Sequence, residues 1–288
     1  MSNVLITGSN GQVGSELREL SSRYKFNFFF TDKESLDITN KEKIEKFVSK
    51  NSIDTIINSA AYTAVDKAEE DKKNADIVNH LAVKYLAEIA KERDIKFIHI
   101  STDYVFDGKN YKPYMEYDIT NPNGVYGVTK LDGEKAMQKI NPKNSIIIRT
   151  SWVYSSYGAN FVKTMLRLAK ERDSLGVIFD QVGTPTYARD LARTILDIIP
   201  KINNEKVEIY HYSNEGVLSW YDFAKEIMRM AKLKCEINPI ETKDYPTPAI
   251  RPHYSLLNKS KIKNDFNITI PYWKDSLDIC LKMMGERK

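Results

Sequence analysis

Five short apolar runs, separated by segments long enough for helices, constrain this fold more than any other feature. They are "VLIT" (4–7), "FNFFFT" (26–31), "DTIINSA" (54–60), "KFIHIST" (96–102) and "SIIIRTS" (145–151). None shows the polar alternation of a strand with one wet face, so each reads as buried on both faces. Helical patterns fall between them, over Gln12–Tyr24, 41–50, 77–94 and the segment that carries Tyr126. Buried strands alternating with helices predict a parallel, doubly wound α/β sheet of Rossmann type, with right-handed crossovers.

Beyond residue 150 the pattern is less regular. Helices are predicted at 160–173, 187–199 and 219–233, short strands at 176–180 and 207–213, and a Pro-rich loop at 244–254. The expected organisation is a doubly wound domain over 1–150 and a smaller α/β domain over 151–288, with the segment near 175–200 returning to the first.

Composition narrows the function classes. The chain has 288 residues, 43 basic and 39 acidic, for a net charge of +4. The charges are interspersed, without the like-charge run of a nucleic-acid arm. Two cysteines, Cys235 and Cys280, have no ligand spacing around them, which fits a reducing compartment. The start reads as a strand entering a glycine turn rather than as a leader peptide, and no apolar run approaches the ~18 residues of a membrane span. The expectation is a cytoplasmic protein with neither nucleic-acid nor membrane partners and no metal site.

"LITGSNGQVGSEL" places Gly8, Gly11 and Gly14 where the first strand ends and a helix begins. Glycines there allow a tight turn and a close approach of backbone to a pyrophosphate, which sits on the free N–H groups of the helix start. Asp32, at the end of the second strand, is placed to bond an adenosine ribose hydroxyl and to repel a 2′-phosphate, whereas the adjacent Lys33 attracts one. NADH and NADPH therefore both stay open. Asp37 and Ile38 lie where an adenine ring packs, with a plain turn role as the alternative for Asp37. Ala60 and Ala61, after the third strand, are small enough for a ligand to pass close by.

"HISTDYVFDG" (99–108) ends the fourth strand in Ser101, Thr102 and Asp103, at the sheet edge where α/β folds bind ligands. "NPNGVYGVTK" (121–130) follows, with Tyr126 and Lys130 one helical turn apart. Hydride addition to a ketone leaves an alkoxide that needs a proton. A phenol with an ordinary pKa of ~10 is a slow donor near neutrality, and a nearby ammonium with an oxidised nicotinamide is expected to lower that value. Tyr126 then reads as general acid, Lys130 as its tuner and a ribose ligand, and Thr102 as a hydrogen-bond donor to the carbonyl. Gly124 and Gly127 read as sites where backbone passes close to cofactor or substrate. Arg251 in "AIRPHYS" reads as a diphosphate partner or as a surface charge. Asn160, Gln181 and Thr184 are weaker candidates, and His99 reads as a packed core residue.

Together "TGSNGQVG", "AAYTAVDKAE", "STDYVFDG", "NGVYGVTKLDGEKA", "RTSWVY", "NFVKTMLRLAKER" and "DQVGTPT" resemble the dTDP-4-dehydrorhamnose reductase family of the extended short-chain dehydrogenase/reductase superfamily, over nearly the whole chain. The resemblance implies reduction of a 4-keto group on a dTDP-6-deoxysugar by NADPH or NADH, giving dTDP-L-rhamnose. It implies a catalytic set of Thr102, Tyr126 and Lys130, with Gly11, Gln12 and Val13 over the pyrophosphate. Asp32, Asp37, Ile38, Ala61, Tyr62 and Thr63 then line the rest of the cofactor cleft, and Thr102, Asp103 and Trp152 face the sugar nucleotide. Some members of the family carry Mg2+ at a subunit contact, and a homodimer is compatible with the resemblance. Three rivals stay open: another sugar-nucleotide reductase or epimerase of the superfamily, a regulatory subunit like the beta subunit of methionine adenosyltransferase, and a protein that binds nucleotide without turnover.

Overall fold

The structure, a computed structural model, describes residues 2–287. The five apolar runs form β1 (Ser2–Thr7), β2 (Phe26–Phe30), β3 (Thr55–Asn58), β4 (Lys96–Thr102) and β5 (Ser145–Thr150). A sixth strand, Glu208–Tyr212, pairs parallel to β5. The sheet order is Glu208–Tyr212, β5, β4, β3, β1, β2, with every neighbouring pair parallel.

Successive side chains of each strand enter different cores. Val4 and Ile6 of β1, Ile98 of β4, and Ile146 and Ile148 of β5 pack on one face, under α1 (Gln12–Leu20) and the helix Ala188–Ile198. Leu5, Phe97 and Ile147 point to the other face, under α2 (Lys41–Lys50) and the helix Ala82–Glu92. This two-sided burial is why β1, β3, β4 and β5 carry no polar alternation; β2, at the sheet edge, departs from the expectation and is only partly buried. Each such Val, Leu or Ile contributes on the order of 1.5–3 kcal/mol.

A second core gathers the helices Phe161–Glu171, Trp220–Ala231 and Trp273–Met283 around Val162, Leu166, Phe223, Ile227 and Leu277. Beside it the parallel strands Ser174–Ile178 and Glu236–Ile240 pair. The latter lies outside the predicted strands, because "EINPI" carries a proline and polar residues. The sheet does not stop at residue 150: the strand Glu208–Tyr212 and the helix Ala188–Ile198 both belong to the large layer. The 77–94 helix is interrupted by a π-helical turn, Ile77–Leu81, ahead of Ala82–Glu92. No helix among the described residues is long and apolar enough to cross a membrane.

Candidate active site

The carboxyl ends of β1, β3 and β4 lie side by side at one edge of the sheet. At β1, Gly8 turns with φ +66, and a Cβ there would lie 2.6 Å from the Ala60 backbone. A Cβ on Gly14 would lie 2.4 Å from the Gly8 carbonyl oxygen. Both positions therefore exclude larger residues, and the loop after β3 presses on the glycine turn. Gly11 precedes α1 without any side-chain cap, so the first N–H groups of that helix remain free for an anion. Val13 is buried behind the turn. The Gln12 amide donates to the Val153 carbonyl and accepts from Asn160 at 3.0 Å, tying the turn to the segment after β5. The glycine turn and the uncapped helix start together have the form that a pyrophosphate would need.

The remaining cofactor candidates divide. Asp32 accepts from Ser35, the Glu34 amide and Asn10, and the Ser35 hydrogen bonds hold its carboxyl below the usual range. Asp37 accepts from the amide and hydroxyl of Thr39, and Ile38 is buried beside Ile44 and Val48. In the free chain Asp37 serves the local turn and Ile38 the core. Ala61, Tyr62 and Thr63 continue the loop that begins at Ala60.

Asn79 was not singled out from the sequence, yet it holds this loop. Its side chain accepts from the Tyr62 amide at 2.8 Å, donates to the Tyr62 carbonyl at 3.1 Å and reaches Thr129 on the helix Val125–Ile140. The available signal was a buried amide inside the otherwise apolar "IVNHLAV", at the π-helical turn.

Thr102 ends β4 with its hydroxyl donating to Asp103 Oδ1 at 3.0 Å and accepting from the Tyr104 amide. Asp103 is buried, and burial pushes its carboxyl up to about 6 despite the nearby Ser255 and Thr102 hydroxyls. Tyr126 stands in the first turn of the helix Val125–Ile140, its ring edge-on to Tyr104 at 5.5 Å. Glu69 accepts from the Val125 amide at 2.9 Å and caps that helix. Gly124 faces Glu69, and Gly127 faces the Tyr104 carbonyl and Pro122. The small residues therefore admit other parts of the chain, a correction to the expectation that they admit a ligand.

Lys130 is fully buried one turn further on, and its amine donates to the Ile100 carbonyl at 2.7 Å. Burial lowers the ammonium to about 8. Burial likewise raises the Tyr126 phenol to about 12, with the Thr102 hydroxyl working in the opposite direction. The expected lowering of the phenol is thus absent in the free chain: desolvation, with the Asp103 charge, outweighs the Thr102 hydrogen bond.

Beneath this set lies a buried ion pair that the sequence reading missed. Arg149 on β5 grips both oxygens of Glu134, at 2.7 Å for the shortest contact, and the Ser101 hydroxyl donates to the same carboxylate at 2.5 Å.

Trp152 follows β5 in a left-handed conformation, φ +48, and stacks on Trp220 with ring centroids 3.7 Å apart. For a bulky residue that backbone is strained, as at many ligand sites. In the free chain Arg251 is held within the protein. Its guanidinium bonds both oxygens of Asp66, at 3.1 and 2.8 Å, and Thr247 as well. Asp66 lies just after the cofactor loop, so this pair ties the Pro-rich loop across to it. Asn160, Gln181 and Thr184 bond Ser155, Thr242 and Gly216, all within the protein. Mg2+, raised by resemblance, has no group of three or more His, Cys, Asp or Glu side chains to hold it among the described residues.

The family described as "RmlD substrate binding domain" matches residues 1–285. The chain belongs to the dTDP-4-dehydrorhamnose reductase family. A member from Aggregatibacter actinomycetemcomitans bearing that name is 45% identical over 96% of this chain and 97% of its own. The crystal structure of a dTDP-4-dehydrorhamnose reductase from Clostridium acetobutylicum superposes with a TM-score of 0.93 at 40% identity, over 98% of this chain and 99% of that one. One from Bacillus anthracis, solved in complex with NADP, gives 0.93 at 36% identity, over 98% of this chain and 100% of that one. The family's fold is therefore this chain's fold from end to end, a Rossmann-like parallel sheet.

Proposed function

We propose that the chain reduces the 4-keto group of dTDP-4-dehydro-6-deoxy-L-mannose (dTDP-4-dehydrorhamnose) to give dTDP-L-rhamnose, using NADPH or NADH. What supports this reading is Thr102 at the carboxyl end of β4, hydrogen-bonded to Tyr126 on the helix that also carries Lys130, in a chain whose relatives bear the reductase name. The NADP complex of the Bacillus anthracis relative supports a nicotinamide cofactor.

The bound nicotinamide supplies the hydride. The chain's residues then supply the proton and the geometry. Tyr126, kept protonated by burial, is an acid ready to give its proton to the alkoxide oxygen. The Thr102 hydroxyl, which donates to Asp103 in the free chain, turns to the keto oxygen and fixes its direction. Lys130 bonds the nicotinamide ribose and, as an ammonium, eases the loss of the phenolic proton. Asp103 and Trp152 line the sugar side of the cleft. Arg251 reaches a diphosphate on leaving Asp66.

Purified protein mixed with the dTDP-4-keto-6-deoxy-L-sugar and either NADPH or NADH should oxidise the cofactor, seen as loss of the reduced nicotinamide absorbance. Absence of oxidation with both cofactors overturns the proposal.

A further inference from the structure

Besides the Arg149–Glu134–Ser101 group, the large sheet buries a polar row that runs from the glycine turn to Lys130. Thr7, Asn58 and His99 stand side by side in register across β1, β3 and β4, and all three are buried. Three adjacent polar side chains inside a sheet are costly unless they bond to one another. They do. Thr7 Oγ1 lies 2.6 Å from Asn58 Oδ1, the Asn58 amide nitrogen 3.1 Å from His99 Nδ1, and His99 Nε2 3.3 Å from Lys130 Nζ. The row starts at the residue before the glycine turn and ends on the lysine of the catalytic set.

The charged and titratable groups around that amine leave it few partners. Glu134, one turn along the same helix, is held by Arg149 of β5 and by Ser101. Asp103, past the end of β4, takes its bond from Thr102, and Tyr126 lies one turn back on the same helix. The acceptors that do reach Lys130 both come from β4, the Ile100 carbonyl and the His99 ring.

We propose that His99 is a positioning residue for Lys130, its neutral imidazole steered by Asn58 into accepting a hydrogen bond from the ammonium. Burial keeps the imidazole neutral, since it lowers His99 well below its ordinary value. An ammonium that donates to Nε2 requires the proton on Nδ1, so we assign the Asn58 amide with its oxygen to the ring, the reverse of the orientation that sets its nitrogen 3.1 Å from Nδ1. The Thr7 hydroxyl donates or accepts with equal ease, so it serves Asn58 in that orientation too. The ring thereby fixes where the amine sits and adds an acceptor that favours its charged form.

The inference rests on the reductase reading. Wild-type turnover tests that reading, and the pH profile of two variants tests this one. Turnover that requires the Lys130 ammonium falls on the alkaline side as the amine loses its proton. His99→Phe removes the acceptor and should move that alkaline limb down by about one pH unit while weakening NADPH binding. His99→Gln offers a carbonyl oxygen at similar reach and should return the limb most of the way. If His99→Phe does not fold, Asn58→Leu removes the steering amide and should move the limb in the same direction. Folded variants whose alkaline limb stays at the wild-type pH overturn the proposal, as does a limb that moves upward. An inactive wild type sinks the reductase reading instead.

Discussion

Gly127 lies against Tyr104 so closely that a Cβ on it would come within 2.3 Å of the Tyr104 carbonyl oxygen. The helix bearing Tyr126 therefore seats directly on the segment leaving β4, and the distance between acid and Thr102 is set there. Gly127→Val should push the helix away. A displacement of about 1 Å costs roughly 100-fold in rate, and the overpacking costs on the order of 1–3 kcal/mol. Steady-state kinetics and urea unfolding check both. Wild-type kcat in the variant removes this account of Gly127.

Tyr126→Phe keeps the ring and its contact with Tyr104 while removing the proton. Turnover should fall roughly 100- to 10,000-fold, with cofactor affinity near wild type. Fluorescence titration with NADPH and a progress curve separate the two. An undiminished rate shows that the acid is another group.

The Glu134–Arg149 pair is buried on both sides. Glu134→Gln leaves a guanidinium in the interior without its counter-charge, at a cost of about 3–5 kcal/mol. Replacing both partners with apolar residues of similar volume should recover much of that loss. A double-mutant cycle by urea unfolding tests this, and additive losses contradict it.

Asp66 holds Arg251, and Arg251 keeps the Asp66 carboxyl below the usual range. Asp66→Ala should free the loop around the exposed Tyr245 and speed chymotrypsin cleavage there several-fold, with the rest of the chain intact. An unchanged cleavage rate shows that other contacts hold the loop.

Lys130 gives a stability signature with a defined sign. Its ammonium titrates near 8 in the folded chain against an ordinary value of 10.5. Between those values the unfolded chain binds more proton, so stability rises with pH. Wild type should therefore gain up to about 3 kcal/mol on Lys130→Met from pH 7 to pH 10.5. Urea unfolding of both proteins across that range measures the difference. A flat difference means that the amine is already neutral or fully solvated.

Much of this was legible in the sequence because local patterns carry it. Continuous apolar runs follow from strands buried on two faces, as the split of Val4 and Ile6 from Leu5 shows. Gly8 and Gly14 follow from steric limits at one turn, and Tyr126 and Lys130 share a helix face by spacing alone. The strand Glu236–Ile240 escaped because a proline and polar residues hide it. Arg251 was read for its charge, and its partner Asp66 lies too far along the chain for any local pattern to pair them.

What the sequence by itself determined is the doubly wound sheet, the glycine turn and the family, since these rest on periodicity, backbone sterics and extended motifs. The tertiary structure decided the state of each functional group. It put Lys130 on His99 and the Ile100 carbonyl, gave Arg251 to Asp66, and kept the Tyr126 proton in place. Those outcomes depend on desolvation and on partners distant in sequence, and both exist only once the strands lie side by side.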